Sequence, residues 1–396
     1  MNMDDDRDLY ATELKEMLRQ SISREVNGFF SAHQDDPVFF TREPYPMKTK
    51  IDDLPLYPKR IPEVISSWAK LSTGAFRPED VLVLDLETTG LGRGGTLAFM
   101  IGLGYFEDTQ FFVEQIFLPD PDAEEHSFER LQELMRDRSL LITFNGKSFD
   151  VPVLESRLLY HQIWLNLREM EHLDVLHIAR RLWKRKLPSC ALETIEFYIL
   201  GHIRDQELDI QGGDVPQTYY NFLTTGDAEL IRRVFAHNHH DILHTAALFA
   251  LICDGCEYPL KQGRNPLVDY HALARLYQSQ GKDEIARRIL VDLLAEGEIS
   301  AEIAYDLGMI YKRSGEPTDA IASFEIGASL NHVPSLVEAA KLLEKEKLFQ
   351  RALEFAALAL HLESGRMLLN HKQIAELQKR HDRLSKKLSS SLQKSS

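Results

Sequence analysis

The chain has 396 residues, 44% of them apolar, and its 46 Lys and Arg face 61 Asp and Glu for a formal net charge of −15. That length allows two or three globular domains, and the acidic balance excludes a protein that grips polyanions over its whole surface while leaving room for a small cleft with a local basic patch. No apolar stretch approaches the roughly 20 residues of a membrane span. The acidic start Met1-Asn2-Met3-Asp4-Asp5-Asp6 is not a signal peptide, and three cysteines, Cys190, Cys253 and Cys256, exclude a disulfide framework; the expected location is cytoplasmic, away from membranes.

In chain order, residues 1–78 offer one amphipathic helix over 9–26, then an irregular stretch with no assignable chemistry. Three strands follow at 81–87, 96–106 and 111–118, joined by tight turns. A helix is expected over 123–136, a strand over 139–144, and a helix from Asp150 to about 161. Next come a short strand ending at Asp174, helices reaching 184 and 200, a Gly-containing loop over 201–216 and a long helix over 227–253. Five strands alternating in this way with helices make an α/β domain with a mixed sheet, placed at 79–257. Farther on, Tyr277, Gly281 and Ala286 recur 34 residues later as Tyr311, Gly315 and Ala320, which is the tetratricopeptide period. A looser third copy lies around 340–352. The array, placed at 265–366, either offers a groove to a protein partner or packs on the first domain. The Lys- and Ser-rich tail, 367–396, is expected to fray.

The chemistry centres on Asp85-Leu86-Glu87-Thr88-Thr89-Gly90, which ends the apolar run Val81-Leu82-Val83-Leu84. Side chains of a strand repeat every second residue, so Asp85 and Glu87 share a face. Two such charges repel unless a cation sits between them or the strand end faces water. Asp150, closing Asn145-Gly146-Lys147-Ser148-Phe149-Asp150, stands at the carboxyl end of the sheet as a ligand or as a helix cap. Asp241 lies mid-helix among Ile242, Leu243, Ala246 and Ala247, one turn after His237, where a lone buried acid is costly. Four acids with a neighbouring imidazole meet the needs of two-metal phosphodiester hydrolysis, and hard oxygen ligands select Mg²⁺ or Mn²⁺. Gly90-Leu91-Gly92-Arg93-Gly94-Gly95 satisfies the dinucleotide pattern G-x-G-x-x-G, but a strand follows where that pattern needs a helix. In Arg180-Arg181-Leu182-Trp183-Lys184-Arg185-Lys186 the cations flank an aromatic that could stack on a base, or they decorate a solvated helix end. Cys253-x-x-Cys256 reads as two buried thiols.

The triplet D-x-E-T-T-G, N-x-x-x-F-D and a late-helix Asp resembles the motifs of the DEDD superfamily, the ribonuclease-H-like 3′–5′ exonucleases. Within it, Leu187-Pro188-Ser189-Cys190-x-Leu192-Glu193 and His237-Asn238-His239-His240-Asp241-Ile242-Leu243 resemble the YprB-like family, whose members can also carry tetratricopeptide tails. The match spans 81–253. It implies an α/β ribonuclease-H-like domain, with a mixed five-stranded sheet and helices on both faces, followed by an all-α tetratricopeptide-like domain. By that resemblance Asp85, Glu87, Asp150 and Asp241 hold the metals, and the substrate is nucleic acid with a single-stranded 3′ end. Thr88 and Thr89 would lie near the 3′ nucleotide, and Asn145 and Phe149 would shape its pocket. The superfamily places a Tyr four residues before the last Asp or a His five before it. Here His237 stands four before and Ala236 five before, so His237 is the candidate base and His240 the second. The alternative is a nuclease-like scaffold of little catalytic power that binds a partner through its helical repeats.

Overall fold

A strand as apolar as 81–84 is stable only when both its faces are covered. A computed structural model describes residues 3–33, 36–72, 75–90, 95–165, 167–205, 207–257, 260, 264–366 and 369–395. Among them are nine strands: β1 (Phe29–Phe30), β2 (Phe39–Pro46), β3 (Lys50–Ile51), β4 (Leu54–Pro55), β5 (Val81–Thr88), β6 (Ala98–Glu107), β7 (Gln110–Phe117), β8 (Leu140–Thr143) and β9 (Glu171–Asp174). The described residues fall into two compact units, the first ending with 264–268 and the second running from Asp269. The helices of the first are α1 (Met3–Glu25), α2 (Glu63–Ala69), α3 (Glu124–Arg136), α4 (Asp150–Tyr160), α5 (Val175–Trp183), α6 (Leu192–Ile195) with a π turn at Glu196–Leu200, α7 (Val215–Thr225) and α8 (Ile231–Glu257).

The main sheet has the order β1-β2-β7-β6-β5-β8-β9. Its β5, β6 and β7 pair antiparallel, while β8 and β9 continue from β5 in parallel. The five expected strands are therefore contiguous, and the sheet is mixed. Two further strands come from the segment read as irregular, so the sheet has seven strands where five were expected. β2 pairs with β7 along its whole length, from Phe39 with Phe117 to Pro46 with Gln110. Pro44 and Pro46 argue against a strand, because proline cannot donate to a ladder. Here they lie beyond β1, which pairs only with Phe39 and Phe40, so their missing N–H groups sit on the open edge. The helix α7 also lies outside the expected elements.

On β5, Leu82, Leu84 and Leu86 join a core that includes Phe128 and Leu131 of α3 and Leu154 of α4. The opposite face, carrying Asp85, meets α8 through two glycines of β6. A Cβ on Gly102, the partner of Asp85 in the ladder, would lie 2.3 Å from Asn238 Oδ1, and one on Gly104 would lie 2.7 Å from Ile242 Cγ2 and 2.6 Å from Phe111 Cζ. The bare backbone of β6 lets α8 lie close, and that closeness brings Asp241 to Asp85. Gly104→Ala should therefore cost about 1–3 kcal/mol by overpacking, read as a lower midpoint with unchanged slope in urea unfolding; an unaltered midpoint would show that the helix has room to spare.

The second unit contains α9 (Tyr270–Ser279), α10 (Asp283–Ala295), α11 (Ala301–Ser314), α12 (Pro317–Ser329), α13 (Val333–Lys345), α14 (Phe349–Arg366) and α15 (His371–Ser395). The recurrent alanines Ala286 and Ala320, and Ala352 of the looser copy, are all fully buried. Gly281 and Gly315 follow helices in the left-handed conformation, with φ of +71° and +77°, the standard way to end a helix. In the third copy Lys347 takes that position with φ +64°, a conformation that disfavours a side chain by about 1–2 kcal/mol. The tail expected to fray is the helix α15, which buries Leu377 and Leu384. No helix among the described residues is long and apolar enough to cross a membrane.

Candidate active site

The two acids of β5 sit where its ladder with β6 slips, between Glu87 and Thr88. Asp85 is half-buried and Glu87 buried. Asp150 does not cap its own helix: the cap position is Phe149, and Asp150 opens α4 with its carboxylate turned to the strand, accepting the Leu86 N–H at 3.0 Å. The turn that aims it is held by Asp174, which accepts the N–H groups of Asn145 at 2.9 Å and Lys147 at 3.0 Å. Asn145 adopts φ +71° to make that turn, which asparagine tolerates better than most residues.

α8 brings the fourth acid. Asn238, buried one turn before Ile242, donates from Nδ2 to Asp85 Oδ2 at 2.9 Å. His237 and Asp241 lie on the neighbouring stripe, with His237 Nε2 3.8 Å from Asp241 Oδ2. The other ring nitrogen, Nδ1, is 2.7 Å from Asp209 Oδ1. Arg204 Nη1 lies 3.1 Å from the same nitrogen; in the neutral ring with its N–H on Asp209, the Nε2 lone pair lies on the side of the acids. Arg204 donates to Asp241 Oδ1 at 2.5 Å, to Asp209 Oδ2 at 3.3 Å and, through two nitrogens, to Glu196 at 2.6 and 2.7 Å.

These neighbours move the protons. Burial, then the charges of Asp241 and Asp150, push both Asp85 and Glu87 well above the carboxylate range. Burial likewise raises Asp150 to about 7, against the pull of its backbone hydrogen bonds. Burial opposes the imidazolium of His237, but the Asp209 hydrogen bond and the charges of Asp241 and Asp209 outweigh it, so His237 titrates above the ordinary histidine range. His240 goes the other way, lowered by burial and then by His244 and Arg204. Its ring lies beside His202, His239 and His244.

All-oxygen carboxylate donors that raise one another's proton affinity suit a hard divalent cation. Three sets of ligand atoms among the described residues lie within 4.8 Å of one another, and none is drawn from these four acids. Asp85, Glu87, Asp150 and Asp241 thus share one electrostatic pocket without closing into a coordination shell, and Arg204 is the cation that Asp241 holds.

Other expected groups fall as follows. Thr88 Oγ1 donates to Gly90 O at 2.8 Å, and Thr89 Oγ1 accepts the Leu97 N–H at 3.0 Å. Phe149 packs partly against the core, and the Asn145 side chain is exposed. The centre of the glycine pattern, 91–94, lies outside the described residues. Trp183 is buried with its indole N–H on Leu267 O at 2.9 Å, so it is not available to stack on a base. Cys253 and Cys256 are buried, and burial pushes the Cys256 thiol up to about 12. Sequence reasoning missed Asn238, Glu196, Arg204 and Asp209. Asn238 carried a signal, since a mid-helix Asn is as poor a helix residue as Asp241. Arg204 and Asp209 carried none, lying in a loop without periodicity.

A groove of about 1230 Å³ opens beside this pocket, lined by Phe197, Tyr198, Arg233, Arg204, Asp209 and His237 among others. Phe197 and Tyr198, adjacent on the rim of that groove, are 52% and 57% exposed.

The family model of the RNase_H superfamily matches residues 82–253. The uncharacterized protein YprB of Bacillus subtilis is 31% identical over 347 residues, covering 83% of this chain and 81% of that protein. The chain is also similar to the solved structure of the Yersinia enterocolitica type III secretion translocator chaperone SycD over 30% of its length and 83% of that chain, at 19% identity and a TM-score of 0.28.

Proposed function

Because the chain belongs to the YprB family and carries a nuclease-like domain of the RNase_H superfamily, we propose that it is a divalent-metal-dependent 3′–5′ exonuclease acting on nucleic acid with a single-stranded 3′ end. The observation that carries this reading is the shared pocket of Asp85, Glu87, Asp150 and Asp241 beside an imidazole whose Nε2 faces Asp241 at 3.8 Å. Those acids would hold Mg²⁺ or Mn²⁺, supplying positive charge to the attacking and leaving oxygens of a phosphodiester. His237, oriented by Asp209, takes the proton of the attacking water. Phe197 and Tyr198 offer faces on which bases stack. Thr88, Thr89, Asn145 and Phe149 would border the terminal nucleotide; the Thr89 hydroxyl, which accepts from Leu97, keeps its O–H to donate. The helical pairs of the second unit, read as a tetratricopeptide array, would bind a protein partner.

End-labelled DNA and RNA oligomers with Mn²⁺, Mg²⁺ or chelator test this. Stepwise shortening from the 3′ end is expected with metal and none with chelator, and His237→Gln should slow it about 10²–10⁴-fold, the usual contribution of a positioned base. One observation favours the second reading, a scaffold of little catalytic power: Arg204 already occupies Asp241. Intact oligomers under every metal condition would select it.

A further inference from the structure

About one turn along α8 from Asp241, three side chains from separate segments meet. Asp52 lies in the tight turn between β3 and β4, His202 follows the π turn, and His244 is buried on α8. One ligand atom of each lies within 4.8 Å of the others. His202 Nδ1 is 3.3 Å from Asp52 Oδ1 and His244 Nε2 is 3.2 Å from Asp52 Oδ2. The two imidazoles thus face the two oxygens of one carboxylate at ion-pair distance, and because donors held at about 2.0–2.1 Å in a tetrahedron stand about 3.3 Å apart, the three side chains need little movement to close on one borderline metal.

The second ring nitrogen of His244 strengthens the case. Its Nδ1 is 2.8 Å from Glu196 Oε1, so carboxylates face both nitrogens of one buried imidazole. Two acids facing one ring leave two arrangements, an imidazolium that donates to both or a neutral ring with its N–H on Glu196 and its Nε2 lone pair turned to a cation shared with Asp52. A carboxylate on the outer nitrogen is also the usual support of a metal-bound histidine. Asp52 and Asp53 hold φ of +48° and +65°, a costly backbone for two successive non-glycine residues that turns Asp52 onto the histidines. Beside them His240 Nδ1 is buried with no hydrogen-bond partner. The two other such groupings differ: Asp36, Asp120 and Asp122 already surround Lys15 Nζ at 2.7–3.1 Å, and His33, His126 and Glu129 lie at the surface.

We propose that Asp52, His202 and His244 form a second metal site, for a borderline divalent ion of the Zn²⁺ class, separate from the four acids and independent of whether those acids are catalytic. Two imidazoles with one carboxylate select such ions over Mg²⁺. Through Glu196 the site connects to Arg204 and so to Asp241, and the bound ion would pin the β3–β4 turn to α8 and fix Arg204 in place.

The full chain, stripped with chelator and held in excess Mg²⁺, is titrated with Co²⁺ while its visible absorption is followed. One equivalent should develop a ligand-field band that Zn²⁺ abolishes. Asp52→Asn and His202→Gln, both changes at half-exposed positions, should each weaken Co²⁺ binding at least tenfold, and Asp85→Asn should leave it unchanged. Zn²⁺ should raise the melting temperature of the parent chain and not that of Asp52→Asn. The proposal is overturned by absence of the band in the parent chain, by undiminished binding in the Asp52→Asn/His202→Gln double variant, or by loss of binding in Asp85→Asn with retention in Asp52→Asn. None of these outcomes depends on nucleotide release.

Discussion

Asp85→Asn is expected to stop nucleotide release and, in the same protein without added metal, to raise its melting temperature. The first effect follows from the proposed role. A carboxylate that holds a catalytic cation supports several kcal/mol of charge stabilisation, and at about 1.36 kcal/mol per tenfold its loss slows hydrolysis by about 10³-fold or more. The second follows from the pocket itself. Burial and the charges of Asp241 and Asp150 raise the folded-state proton affinity of Asp85. An acid with a raised folded pKa destabilises the native state above its unfolded value near 3.9, increasingly so as pH climbs toward the folded one. Asparagine removes that cost and keeps an oxygen to accept the Asn238 N–H. A gain of about 2–4 °C per kcal/mol is expected for a domain of this size at neutral pH, shrinking to nothing below about pH 4, where both states are protonated. Calorimetry with chelator across pH checks this. A variant that is inactive yet melts no higher than the parent would mean that the acids do not strain one another.

What could be read from the sequence and what could not divides along physical lines. The strand under Asp85 was legible because an apolar run with a two-residue repeat has few alternatives, and the long helix under Asp241 because the acid interrupts an otherwise apolar stripe. Gly102 and Gly104 drew no reading within the apolar strand 96–106, because what they do, seating α8, depends on a helix more than 130 residues away in sequence. The strand β2 was hidden by Pro44 and Pro46, whose cost depends on which edge is paired, a fact about neighbours rather than about the segment. The tail misled for a similar reason. Its Lys and Ser content describes one face of α15, while Leu377 and Leu384, two turns apart, describe the buried one. In the site, order and spacing of the four acids could be read off. The groups that tune them could not, because Arg204 and Asp209 act through contacts 28–37 residues distant in sequence, between a loop without period and a helix; such pairing leaves no local mark.

Those silent contacts set the last expectation. Arg204→Met should be the most damaging single change in the first unit. The guanidinium is 10% exposed and serves Glu196, which is 1% exposed, together with Asp209 and Asp241. Burial alone would raise Glu196 and Asp209, yet the Arg204 and His244 contacts hold the first, and the His237 and Arg204 contacts the second, at about 2. Removing one partner of a buried ion pair costs about 3–5 kcal/mol because the other charge is left unpaired. The pH dependence follows in sign. A carboxylate with a depressed folded pKa contributes stability above its unfolded value and loses it as pH falls toward the folded one. The parent should therefore weaken between about pH 4.5 and 2, with unfolded carboxylates near 4, and the variant, already lacking that contribution, should change less over the same interval. Arg204→Lys keeps the charge but not the fork that binds Glu196 through two nitrogens, so it should fall between the two. Urea unfolding at pH 7 and at pH 3, inside that interval, measures all three chains. Binding of Mn²⁺ separates support from competition, at a temperature where each is folded. If Arg204 is the cation that Asp241 must release before it can hold a metal, Arg204→Met will bind Mn²⁺ more tightly than the parent despite its lower stability. Weaker binding would instead make Arg204 a strut that holds Asp241 in place.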